Sequence, residues 1–230
     1  MLRKDLIQKS PVVQILGNDY MEKGQFGAVI SRAGVGKTQF LVQIAISWLL
    51  EGKKVIHISL YDTIDKINLR YKDGYTNLID SVGYIDPQKA TRLWDDLAPC
   101  KFGITCHENT FSSKNIRDYL VSLRKNSLEM PSMIVVDGLD FDRDCSVVLD
   151  KLSELASEFS LAIWFSMKSH REEAFTDKGF PIQLDKVQSR FAKAVYLQPK
   201  EDKIEVVILK DGEKANERQL IEPATMMLAR

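Results

Sequence analysis

Residues 31–38 read SRAGVGKT, arriving straight after the apolar run FGAVI (26–30) and just before QFLVQIAISWLL (39–50). The run before it reads as a buried strand, and the segment after it carries apolar residues at the three- and four-residue spacing of a helix. A glycine-containing turn at a strand-to-helix junction is the setting that a phosphate-binding loop requires. Gly34 and Gly36 let the backbone wrap so that its N–H groups point inward, and the following helix presents its positive end. Lys37 would reach the β and γ phosphates, and the Thr38 hydroxyl would ligate Mg²⁺. The pattern G-x-x-x-x-G-K-[ST] is broken only at its first glycine, which is Ser31 here. The expected cradle is Ser31, Arg32, Ala33, Gly34, Val35, Gly36, Lys37, Thr38 and Gln39. An ordinary glycine-rich turn is the bland alternative, but strand, loop and helix agree with the phosphate reading.

Outward from this stretch, strand-like and helix-like segments alternate. FGAVIS (26–31), KVIHISL (54–60), FGITCH (102–107), SMIVVD (132–137) and LAIWFSM (161–167) are short and apolar, with β-branched or aromatic residues. They read as buried strands. TQFLVQIAISWLL (38–50), TIDKINLRY (63–71), QKATRLWDDL (88–97), SKNIRDYLVSLRKN (113–126) and SVVLDKLSELASEF (146–159) read as amphipathic helices. This order predicts a mostly parallel sheet covered on both faces, an α/β fold of three layers. KAVYLQ and KIEVVILK flank the turn-like PKED (199–202), which predicts antiparallel strands at the C-terminal edge. No repeat or linker interrupts the chain, so residues 1–230 are expected to form one domain. HREEAFTDKGFPIQ (170–183) has no period and is expected to be a mobile loop.

Composition narrows the class. With 44% hydrophobic and 28% charged residues the chain can bury a core, and disorder is excluded. No stretch approaches the ~20 apolar residues of a membrane span, and MLRKDLIQKS has charges where a signal peptide needs apolar residues. A cytoplasmic protein with no membrane partner is expected. Cys100, Cys106 and Cys145 form no C-x-x-C pair and no even set, so they are expected to be buried free thiols. Thirty-two Lys+Arg balance 32 Asp+Glu, so no global field draws a nucleic acid.

A phosphate cradle needs a metal-side carboxylate on a neighbouring strand. Asp137 ends the apolar strand IVVD (134–137), where it would accept from Thr38 or a Mg²⁺-bound water. Asp140, Asp142 and Asp144 follow, and read better as a solvated turn and helix cap than as ligands. His57 and His107 lack partners at metal-ligand spacing and read as structural.

On these residues, KGQFGAVISRAGVGKTQFLVQIAISWLLEGKKVIHISL resembles the ATPase domain of the RecA superfamily, most closely its DnaB-like helicase and KaiC-like branches. IVVDGLD (134–140) is similar to the family's second nucleotide motif, and LSELASEFSLAIWFSMKSH (152–170) to its following helix, strand and sensor loop. IEVVILKDGEKA (204–215) resembles the late strand from which members project a cation into a neighbouring subunit's site, which would make Lys210 a trans-acting residue. The resemblance implies a RecA-like three-layer fold, ATP and Mg²⁺ as ligands, and assembly as a homo-oligomer or with a partner protein. In the ParA/MinD-like ATPases a lysine lies two residues into the loop, where this chain has Arg32, but the order around IVVDGLD fits the RecA-like pattern better.

Departures from the family bear on turnover. The glutamate that polarises the attacking water is replaced by Tyr61, and a phenol with a pKa near 10 is a poor base. Asp62 would serve instead if a turn swings it into the site; the alternative is a cap for the next helix. The sensor glutamine is replaced by Met167, which leaves Lys168, Ser169 and His170 as substitutes, and Lys210 is followed by Asp211 and Gly212 rather than a second cation. Two functions stay open: a Mg²⁺-dependent ATPase of weak activity at a subunit interface, and a module that binds ATP or ADP without significant hydrolysis. Nucleic acid stays open as a partner without support, because aromatic residues do not interleave with a basic stripe. No N-K-x-D motif appears, which leans towards ATP.

Overall fold

The computed structural model describes residues 2–18, 21–170 and 175–229. Two helices come first, α1 (Leu2–Lys9) and α2 (Pro11–Leu16). Then follow β1 (Phe26–Ser31), α3 (Lys37–Leu50), β2 (Val55–Ser59), α4 (Ile64–Ser81), α5 (Pro87–Leu97), β3 (Lys101–Thr105), α6 (Ser113–Lys125), β4 (Met133–Asp137), α7 (Ser146–Phe159) and β5 (Ala162–Lys168). The short α8 (Ile182–Asp185) leads into β6 (Phe191–Lys200), β7 (Lys203–Lys210) and β8 (Arg218–Ile221).

Eight strands form one sheet in the order β3-β2-β4-β5-β1-β6-β7-β8. Every pairing from β3 to β6 is parallel, as strands joined through helices must be. β7 turns back through Glu201 at φ +54° and pairs antiparallel with β6 and β8, so the edge expected near the C-terminus is present. One face of the sheet packs against α3, α4 and α5, the other against α6 and α7. An aromatic cluster stiffens the second face: Phe165 meets Phe26 at 5.2 Å and Phe141 at 5.9 Å between ring centroids. Such edge-on pairs add to area burial.

α3 explains the N-terminal pair. Every residue from Phe40 to Leu50 is buried, so the helix has no face suited to water and must be covered on both sides. Burying one such side chain is worth about 1.5–3 kcal/mol, more than any surface pair could return. The sheet covers one side of α3, and α1, α2 and α4 cover the rest through Leu6, Val12, Ile15 and Leu16. A buried hydroxyl pair, Ser10 and Ser47 at 2.6 Å, joins α2's start to α3.

Several sequence expectations are corrected. The helix expected at 63–71 runs to Ser81, through Gly74. That glycine reads as a breaker, yet a Cβ there would lie 3.0 Å from Ile46 and 3.2 Å from Val42, so its bareness lets α4 close onto α3. The loop expected at 170–183 gives way to α8 at Ile182, and 171–174 lie outside the described residues. His107 follows β3 rather than ending it. Of the cysteines, only Cys145 is buried; Cys100 and Cys106 are half-exposed. No helix among the described residues is long and apolar enough to cross a membrane.

Candidate functional site

The site lies where ligands collect in parallel α/β sheets, beyond the carboxyl ends of the strands. β1 delivers Ser31, whose carbonyl accepts from the Ser169 amide at 3.0 Å, tying the loop's start to the end of β5. The chain turns through Gly34 at φ +80° and Gly36 at φ +112°, and α3 starts at Lys37. A Cβ on Gly36 would lie 2.1 Å from the Met226 methyl, so the C-terminal segment packs against the loop. Lys37 Nζ folds across the loop and donates to the carbonyls of Ser31 (3.1 Å) and Arg32 (3.0 Å) and to Ser31 Oγ (3.3 Å). Burial lowers its pKa; Asp137 opposes that shift and Lys168 adds to it.

One residue on, Thr38 Oγ1 donates to Asp137 Oδ2 at 2.7 Å. This is the pair anticipated between loop and neighbouring strand, made although β4 and β1 are separated by β5. Beside it, the Gly138 amide donates to Ser166 Oγ at 2.8 Å, which links the ends of β4 and β5. Together these ends floor a cavity of about 390 Å³ lined by Ala33, Lys37, Thr38, Tyr61, Asp62, Arg70, Asp137, Gly138 and Lys168, among others.

The turn after β2 shapes the far wall. Ser59 Oγ accepts from the Asp62 amide at 2.9 Å, and the cap of α4 is Thr63, accepting from the Lys66 amide. The cap reading for Asp62 is therefore taken by its neighbour. Its carboxylate instead meets Lys66 at 2.7 Å and Arg70 at 3.0 Å. Partial burial works to raise its pKa, but the Lys66 hydrogen bond and the charges of Arg70 and Lys66 outweigh burial and lower it. A carboxylate so held is a weaker base than a free one. Tyr61 also faces the cavity and is 73% exposed.

The sensor-loop residues separate. Met167 is buried in the core, Lys168 lines the cavity, and Ser169 faces away into a smaller side cavity that Arg32 also lines. His170 Nε2 pairs with Asp142 at 2.7 Å, and Asp142 also accepts from Gln183 at 3.0 Å. Asp140 pairs with Arg143, and Asp144 accepts from the Ser146 amide where α7 begins, so turn and cap roles fit these acids. No group of three His, Cys, Asp or Glu side chains suited to a metal occurs among the described residues.

His57 is buried on β2 with Nδ1 3.2 Å from the Tyr71 hydroxyl. Lys210 pairs across the sheet with Ala194, which is level with Ala28 of β1, whereas Ser31 is level with Leu197 and Val206. Four residues of β7, roughly 13 Å at ~3.3 Å each, separate Lys210 from the loop's level. Its Nζ donates to the Gln188 carbonyl at 2.8 Å. The sequence reading missed Arg70, Ser166 and Met226, because none belongs to a motif and each arrives through tertiary packing.

A nucleotide phosphate and Mg²⁺ fit this donor set: loop amides at a helix N-terminus, a lysine, and a hydroxyl–carboxylate pair able to take up a hydrated cation. No family model matches the chain, and no curated protein matches it. Among solved structures it is similar to a DnaB ATPase domain, at 14% identity and a TM-score of 0.66, over 96% of this chain and 90% of that one. The chain has the RecA-like α/β fold.

Proposed function

We propose that the chain, as one nucleotide-binding domain, holds Mg·ATP or Mg·ADP at the carboxyl end of β1 and uses the bound nucleotide to set its shape or assembly, with slow hydrolysis or none. The Thr38–Asp137 hydrogen bond carries this reading, because it builds the metal side of a phosphate cradle from two non-adjacent strands. The loop amides and Lys37 would bind phosphate oxygens, and Thr38 with Asp137 would hold the hydrated Mg²⁺. When bound, Mg²⁺ neutralises charge between the phosphates. The wall opposite the loop offers a phenol and a carboxylate held by two cations, so it favours binding over turnover.

A second reading is a weak ATPase at a subunit interface, favoured by Asp62 facing the cavity. Lys210, remote from its own loop, would then serve the site of a neighbouring copy. Single-turnover hydrolysis of Mg·ATP, beside nucleotide binding, separates the readings in wild type, Lys37→Ala and Asp62→Ala. The expected result is binding that needs Lys37 with no measurable turnover. Hydrolysis abolished by both substitutions, while Asp62→Ala still binds, would establish the enzyme instead. Wild type that binds no nucleotide overturns both.

A further inference from the structure

Arg70 stands on α4 across the cavity from the phosphate loop, outside every motif. Its Nε donates to Asp62 Oδ2 at 3.0 Å, while Lys66 holds Oδ1 at 2.7 Å. One carboxylate thus has two cations, and Lys66 alone would keep it paired. The Arg70 side chain is 30% exposed and lines the cavity, so its guanidinium is within reach of what binds there. The other cations of that lining are Lys37 and Lys168, and both belong to the loop's side: Lys168 is the sheet partner of Ser31. Arg70 instead shares the wall of Tyr61 and Asp62.

Its distance from the loop is fixed. Gln39, next to Thr38, donates from Nε2 to the Arg70 carbonyl at 3.4 Å, and Gly74 one turn on lets α4 seat directly on α3. The backbone of Arg70 is thereby referenced to the helix that carries the cradle, while its side chain keeps freedom to change partner.

We propose that Arg70 reads the terminal phosphate of a bound nucleoside triphosphate within its own chain. Its guanidinium exchanges Asp62 for that phosphate, leaving Asp62 to Lys66; with a diphosphate the Asp62–Arg70 pair persists. A planar fork of donors matches phosphate oxygens, and the more highly charged phosphate competes well against one carboxylate. This rests on the nucleotide-binding reading above, and it gives that site a means of telling triphosphate from diphosphate without hydrolysis.

The test is equilibrium binding of Mg·ADP and of a non-hydrolysable Mg·ATP analogue to wild type, Arg70→Ala, Asp62→Asn and Lys37→Ala. Arg70→Ala is expected to weaken the triphosphate about tenfold or more, the size of a lost charge-assisted contact, and the diphosphate by no more than about threefold. Asp62→Asn, which removes the competing carboxylate, is expected to strengthen the triphosphate alone. Misfolding cannot produce opposite signs in the two variants. Equal losses for both nucleotides, no loss in Arg70→Ala, or triphosphate binding by Asp62→Asn at or below wild type would overturn the exchange while nucleotide binding stands. Lys37→Ala should lose both ligands; wild type that binds neither removes the nucleotide reading and the exchange with it.

Discussion

The ring of Tyr61 rests on the α-carbon of Gly138: a Cβ added to Gly138 would lie 2.5 Å from ring atoms Cδ2 and Cε2. Gly138 follows Asp137 and sits at φ +106°, so the turn leaving β4 is bare where the residue at position 61 leans over it. The side chain that replaces the family's glutamate is therefore seated beside the metal-side carboxylate.

Tyr61→Glu places a carboxylate at that position. A positioned general base contributes about 10²–10⁴-fold, so single-turnover hydrolysis of Mg·ATP is expected to rise roughly a hundredfold over wild type. A rate that stays flat, with binding intact, would mean that the turn after β2 does not aim position 61 at an attacking water.

Gly36 and Met226 separate backbone strain from contact. Gly36→Ala places a side chain at φ +112°, which costs about 1–2 kcal/mol, and sets its Cβ against the flexible end of Met226. Since that methyl can swing aside, the backbone carries most of the penalty. In urea denaturation the double variant Gly36→Ala/Met226→Ala should therefore be less stable than either single variant. Stability recovered to that of Met226→Ala would place the cost in the contact instead.

His57 gives a pH signature. Burial lowers its pKa to about 4, with Asp137 opposing and Lys101 adding to the shift. An imidazole ordinarily titrates near 6.5, so between about pH 6.5 and 4 the unfolded chain binds the proton and the folded one does not. Stability is thus expected to fall as pH drops through that window, by roughly 3 kcal/mol from this group. His57→Gln should flatten the loss in thermal melts taken between pH 7 and 4. An unchanged slope would assign the loss to other groups.

The sequence made the sheet legible because parallel strands buried on both faces must be continuous apolar runs; FGAVIS and MIVVD coincide with β1 and β4 to within a residue. The cradle was legible because strand, loop and helix residues adjoin in the chain. α1 and α2 were not, since their apolar residues acquire meaning only from the all-round burial of α3. Gly74 pointed the wrong way for a similar reason: its contact partner is another helix. Arg70 lies eight residues from Asp62, and only the turn through Thr63 brings the two to one carboxylate–guanidinium pair.

The sheathing of α3 sets where the domain can be cut. Motif similarity begins near residue 23, but the side chains of Leu6, Val12, Ile15 and Leu16 cap the outer surface of the helix that carries Lys37 and Thr38. A chain trimmed to the motifs would leave that oily surface bare and sticky, directly behind the cradle. α1 and α2 are the lid on the cradle's own foundation.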